Sequence, residues 1–170
     1  MLHRTQPALT LIILMALLSL SAFAQNEARI IEVPGAPIII SEYSAEYRDS
    51  DRLSNEGVHH TVRLRNSGDQ DVVAYGVGFF AFDAFNRFMG SPLTGVEVGT
   101  LAATNVQTSR LTWVQRPRAA FTFKTYGIGV AFVRVARLAD GTVWHADMGF
   151  VLDELRKIEV GLALEDLTFD

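Results

Sequence analysis

Asp71-Val72-Val73-Ala74-Tyr75-Gly76-Val77-Gly78-Phe79-Phe80-Ala81-Phe82-Asp83 is apolar on both of its alternating sides. Side chains along a strand point alternately to opposite faces, so Val72, Ala74, Phe80 and Phe82 oppose Val73, Tyr75, Val77 and Phe79. A strand of that kind belongs in the middle of a sheet that is covered on both sides.

The neighbouring stretches repeat the theme with one wet face. From Val58 to Asn66, residues Val58, His60, Val62 and Leu64 share one side, while His59, Thr61, Arg63 and Arg65 share the other. Asn66-Ser67-Gly68-Asp69 between these two strands is a turn, with Gly68 free to take positive φ. Further out, Ala28–Val33 is β-branched and stops at Pro34-Gly35-Ala36-Pro37, and Ile38 opens a run that becomes polar through Glu42, Glu46, Arg48 and Asp49. Residues 48–57 are charged and read as a loop. Residues 91–99, with Pro92, Gly95 and Gly99, read as a loop with short extended pieces. Val106–Val114 is a strand interrupted by Arg116-Pro117-Arg118, since proline cannot donate to a central ladder. Phe121 and Phe123 are spaced for a short strand. Ile128–Leu138 and Thr142–Asp147 flank Asp140-Gly141, a two-residue hairpin signal. The period then changes: Phe150, Val151, Leu155 and Ile158 predict a short amphipathic helix over 149–159. Short β-branched runs separated by turn residues predict an all-β, antiparallel sandwich with that helix at its C-terminal end.

The first 24 residues are expected to be a cleavable signal peptide. Arg4 precedes an apolar stretch from Ala8 to Leu20, and Ser19-Leu20-Ser21-Ala22-Phe23-Ala24 ends in the small-x-small pattern of a cleavage site. The apolar stretch falls short of the ~20 residues that a spanning helix needs. Residues 25–159 are then one domain, and 160–170 an acidic tail. Losing Arg4 takes the net charge from −4 to −5. A mildly acidic chain without a Lys/Arg block speaks against nucleic acid as partner. The chain has no cysteine, which excludes disulfides and thiolate metal sites. Together with the leader, this points to a bacterial periplasm, with secretion as the other destination.

Two stretches carry a resemblance. Phe79-Phe80-Ala81-Phe82-Asp83, followed by a turn over Asn86–Gly90, resembles exported bacterial domains named for a Phe-x-Leu-Tyr-Asp motif; Ala81 and Phe82 stand where that motif has Leu and Tyr. Leu138-Ala139-Asp140-Gly141-Thr142-Val143-Trp144 resembles a hairpin ending of uncharacterised exported β-sandwich proteins. The resemblance implies an immunoglobulin-like sandwich and brings no catalytic residue with it. On physical grounds the Asp83 carboxylate is expected to accept backbone N–H groups in its own turn.

Chemistry is sparse. His59 and His60 are adjacent on a strand, so their side chains diverge and cannot chelate one ion. The plain expectation is one surface, one core-edge and one hairpin histidine; the alternative is a small metal-binding protein or hydrolase built on His60, His145 and Asp147. No Gly-x-Ser-x-Gly elbow is present, and Gly76-Val77-Gly78 and Gly127-Ile128-Gly129 lack the third glycine and the helix of a phosphate loop. No cofactor is expected. Aromatic density is the more specific feature. Phe79, Phe80, Phe82, Phe85 and Phe88 crowd ten residues, and Trp113 lies near Arg116 and Arg118. Those of them left outside the core, with Phe79, Phe85, Phe88, Trp113, Arg116 and Arg118 as candidates, would form a partner surface. The expectation is a non-catalytic exported binding or accessory module that engages a protein or envelope component. A structural, self-associating envelope protein is the third reading.

Overall fold

A computed structural model describes residues 26–49, 56–103, 110–116 and 123–169. The leader, Arg118, Phe121 and most of the 48–57 loop lie outside the described residues. Among the described residues, eight strands form two sheets: β1 (Glu27–Ile31), β2 (Ile38–Arg48), β3 (Gly57–Asn66), β4 (Val72–Asp83), β5 (Leu93–Leu101), β6 (Leu111–Gln115), β7 (Tyr126–Leu138) and β8 (Val143–His145). One helix, α1 (Met148–Leu155), follows. The larger sheet runs β1-β7-β4-β5, with β8 sharing the β1 edge of β7, and the smaller runs β2-β3-β6. Among the described residues no helix is long and apolar enough to cross a membrane.

Phe79-containing β4 sits where its two apolar faces require. It is bonded to β7 on one side and β5 on the other, and every residue from Tyr75 to Asp83 is buried. One face points at the smaller sheet: Tyr75, Val77 and Phe79 pack with Val133 of β7 and with Ile38, Ile40, Val62 and Leu64. The other face meets the C-terminal segment: Phe80, Phe82 and Phe132 pack with Val151, Leu152, Leu155, Leu162 and Leu167. Each large side chain so buried contributes roughly 1.5–3 kcal/mol.

The glycines of Gly76-Val77-Gly78 answer to packing. A Cβ on Gly78 would fall 2.3 Å from the Phe132 ring, and one on Gly76 2.8 Å from Val135. The ladder to β7 also shifts register between Gly76 and Val77, a local bulge.

Four expectations need correction. The sheet is not wholly antiparallel, because β1 pairs parallel to β7, Glu27 opposite Ile128. Pro34 to Pro37 turns the chain from the larger sheet to the smaller one, with Gly35 at φ 73°, so β1 and β2 never form a hairpin. Residues 93–101 form the nine-residue strand β5, not a loop. Its loop-like Gly95 makes room for a ring, since a Cβ there would fall 2.2 Å from the Trp113 indole. Lastly, residues 160–169 belong to the core cover. Leu162 and Leu167 are buried, and the Phe169 ring lies 5.6 Å from Phe80 with the Arg134 guanidinium 4.3 Å above it. Phe123 starts a 3₁₀ turn, Phe123–Thr125, where a short strand was expected.

The turns at Asn66–Asp69 and Asp140–Gly141 form where expected, although Gly68 does not take positive φ, and the turn after β4 spans residues 83–87 with Asn86 at φ 62°, ahead of the Asn86–Gly90 stretch expected. Asn66 Oδ1 accepts from the Gly68 N–H at 2.9 Å, Asp140 Oδ1 accepts from the Thr142 N–H at 2.8 Å, and Gly141 takes φ 91°. Asp83 Oδ1 accepts from the N–H groups of Phe85 and Arg87 at 2.8 and 2.9 Å, while the Arg87 guanidinium grips Oδ2 at 2.7 Å. Burial works against the charged Asp83 carboxylate, yet the bonds from Arg87 and Phe85 outweigh it and hold the carboxyl below its usual range. That contribution to stability is complete above the ordinary carboxylate range and is lost as pH falls through the lowered value. Asp83→Ala is expected to cost about 2 kcal/mol, and Asp83→Asn less, because it keeps one acceptor. Urea midpoints for the two variants check this ordering.

Candidate functional site

His60 lies on the inner face of β3, wholly buried between the sheets. Its Nδ1 meets the Tyr43 hydroxyl at 2.8 Å and its Nε2 meets Gln115 Oε1 at 3.0 Å. Gln115 in turn donates Nε2–H to the Ser91 carbonyl at 2.7 Å, which fixes the amide orientation. Gln115 Oε1 can only accept, so His60 Nε2 carries the proton and Nδ1 accepts from Tyr43. The imidazole stacks 4.6 Å from the Phe79 ring. Burial drives the His60 pKa down to about 3; the Gln115 bond opposes this only in part, and His59 adds to it. The ring is therefore a neutral wedge that couples β2, β3 and β6.

This placement dismantles the His60, His145 and Asp147 alternative. His60 has no exposure, so it cannot meet a substrate or an incoming ion without opening the sandwich. His145 is exposed on β8, and Asp147 caps α1 by accepting from the Gly149 and Phe150 N–H groups at 2.8 and 3.3 Å. No group of three His, Asp or Glu converges among the described residues. His59 is also buried, although it lies on the side of β3 expected to face solvent, and its Nε2 has no hydrogen-bond partner among the described residues.

The aromatic candidates separate as well. Phe79 is fully buried between the sheets, which removes it from any partner surface. Phe88 is half-buried, with its ring 5.7 Å from Phe80 and 5.8 Å from Phe82. Trp113 is half-buried over Gly95, 5.6 Å from Phe79. Phe85 alone stands out, 75% exposed at the turn after β4 with the Arg87 guanidinium 5.4 Å above its ring. Arg116 is exposed, and Arg118 lies outside the described residues.

The apolar surface that does remain open is one no aromatic marks. The side of the larger sheet that carries Phe80 and Phe132 is covered by α1 and the C-terminal segment over only part of its area. Beyond Arg134, which reaches Thr94 Oγ1 at 3.1 Å, two rows of side chains run across four strands. Val96, Gly76, Val135 and His145 form one row, and Val98, Ala74, Arg137 and Val143 the next, each set by the strand register. Val96, Val98 and Val143 are 61%, 80% and 46% exposed. A concavity of about 530 Å³ lies where β1 and β2 part, lined among others by Ile30, Ile38, Ile40, Val133, Arg65 and Ser67. Ile38, Ile40 and Val133 are already buried there, so a ligand has less to gain than on the valine face.

No family model and no curated protein matches the chain. Among solved structures, a hypothetical protein from Peptoclostridium difficile 630 is similar at 13% identity over 72% of this chain and 91% of that one, with a TM-score of 0.36. A likeness of that size carries no inference about function.

The candidate site therefore rests on geometry alone. Val96 and Val98 stand exposed one strand repeat apart on β5, and Val143 stands exposed three strands away on β8, with Arg137 and His145 interrupting the rows between them. Sequence reading missed it because its residues come from four separate strands. One signal was present: Val96 and Val98 alternate with Gly95, Glu97 and Gly99, a strand pattern hidden among loop-forming residues.

Proposed function

We propose that this chain is an exported, non-catalytic binding or accessory module of immunoglobulin-like type that engages a protein or envelope component. The observation that supports this is the valine face: Val96 and Val98 side by side on β5, and Val143 across the same face on β8, are large apolar groups left in water on a sheet whose other half is covered. Covering such a surface is favourable in proportion to the apolar area removed from water. Exposed apolar patches of this kind mark partner surfaces. Three of the groups singled out for chemistry are meanwhile engaged elsewhere, Asp83 in its turn, Asp147 at a helix start and His60 in the interior.

A photo-crosslinking residue at position 143, in the chain expressed with its own leader, tests the proposal. The same probe at Asp153, on the exposed side of α1, serves as control. A single foreign protein captured at 143 and not at 153, and lost when Val96 is replaced by Asp, is the expected outcome. Equal capture at both positions, or none at 143, sinks the reading.

A further inference from the structure

β5 reads Leu93-Thr94-Gly95-Val96-Glu97-Val98-Gly99-Thr100-Leu101, the same in both directions about Glu97. Its ladder to β4 is continuous from Leu93 to Val98 and shifts register before Leu101. Leu93, Gly95, Glu97 and Leu101 register with Phe79, Val77, Tyr75 and Val72 on the side of the smaller sheet, while Thr94, Val96 and Val98 register with Gly78, Gly76 and Ala74 on the valine face. β5 ends the larger sheet, and among the described residues no strand bonds to its outer edge.

We propose that this edge pairs antiparallel with β5 of a second copy of the chain, about a two-fold axis at Glu97. Two-fold pairing sets each residue opposite the one equally far on the other side of the axis. About Glu97, every residue meets its own kind: Leu93 opposite Leu101, Thr94 opposite Thr100, Gly95 opposite Gly99 and Val96 opposite Val98. β-branched pairs of this sort are favourable across strands. An axis at Val96 or Val98 leaves two residues of β5 unmatched and sets Val against Thr. Pairing about Glu97 also brings the two valine faces side by side into one strip, so the second copy enlarges the patch instead of hiding it.

Glu97 opposes this pairing, because it meets the partner's Glu97 at the axis and like charges directly opposite are unfavourable. An inward-pointing charge is a known restraint on edge strands. Glu97 therefore acts as the gate, keeping the contact weak and reversible. This contact needs no outside partner, so it stands or falls separately from the binding reading.

The test uses purified mature chain alone. Sedimentation equilibrium is expected to show concentration-dependent dimerisation that tightens at least tenfold in Glu97→Gln. The chain has no cysteine, so introduced thiols report register cleanly. Glu97→Cys is expected to give a disulfide dimer on mild oxidation, since directly opposite residues lie ~4.5–5.5 Å apart at Cα. Val96→Cys alone and Val98→Cys alone should stay monomeric, and a mixture of the two should crosslink. Monomeric Glu97→Gln at every concentration, or a Val96→Cys dimer without a Glu97→Cys dimer, overturns the proposal.

Discussion

Gly129→Ala is expected to destabilise the fold by about 3 kcal/mol, from overpacking and the hydrogen bond it displaces. Gly129 sits on β7 facing the smaller sheet, and a Cβ there would fall 2.5 Å from the Tyr43 hydroxyl, 2.6 Å from the Tyr126 hydroxyl and 2.7 Å from Ala45 Cβ. Ala45 Cβ is fixed by its backbone. Neither hydroxyl can retreat freely, because the Tyr43 ring lies against Phe79 and His60, and Tyr126 is buried. The cheapest escape moves Tyr43, which breaks its bond to His60 and leaves a buried ring nitrogen unpaired. Gly99→Ala is the control, since a Cβ there meets nothing within 4 Å. Its urea midpoint should stay within ~0.5 kcal/mol of the parent. Equal costs for the two variants would show that the Tyr43–His60–Tyr126 region is not tightly packed.

The second large effect is a loss of stability on mild acidification. His60 has a pKa of about 3 in the folded chain, below the ~6.5 of an unfolded histidine. The unfolded chain therefore takes up a proton that the folded chain refuses. Stability from this group is complete above ~6.5 and falls by about 1.4 kcal/mol per pH unit as pH drops toward 3. Between pH 6 and 4.5 this amounts to roughly 2 kcal/mol, before the lowered carboxyl of Asp83 begins to matter. Urea unfolding across that window should show a slope near one proton, and His60→Gln should flatten it. An unchanged slope in that variant would mean that the linkage lies elsewhere.

Periodicity made much of the fold legible. Val58, His60, Val62 and Leu64 share the buried side of β3, and Asp140-Gly141 makes its hairpin, because in both places the pattern is local. The double apolarity of β4 correctly placed it between two layers, although nothing nearby said that one layer is a sheet and the other a helix with the chain end. What failed was long-range. Pro34-Gly35-Ala36-Pro37 looks like a hairpin break, yet the strand before it joins a partner a hundred residues away. Gly95 and Gly99 look like loop residues because their reason, in the case of Gly95, is an indole delivered by β6. The candidate surface suffered most. Aromatic density in the sequence marked Phe79, which packing took inside, and Phe88, which it half-buried, while the open face is assembled from valines that are unremarkable until four strands are in register.

The parallel pairing of β1 with β7 also sets a timetable. Glu27 lies opposite Ile128, so β1 has no strand partner until about a hundred further residues have been made. The central partners β4 and β7 are likewise far apart along the chain, and closing such loops costs entropy before any contact repays it. The nascent protein should stay unfolded and protease-sensitive through most of its synthesis, then gain resistance late and all at once. Chains cut before residue 126 should show no resistant core, whatever strands they contain.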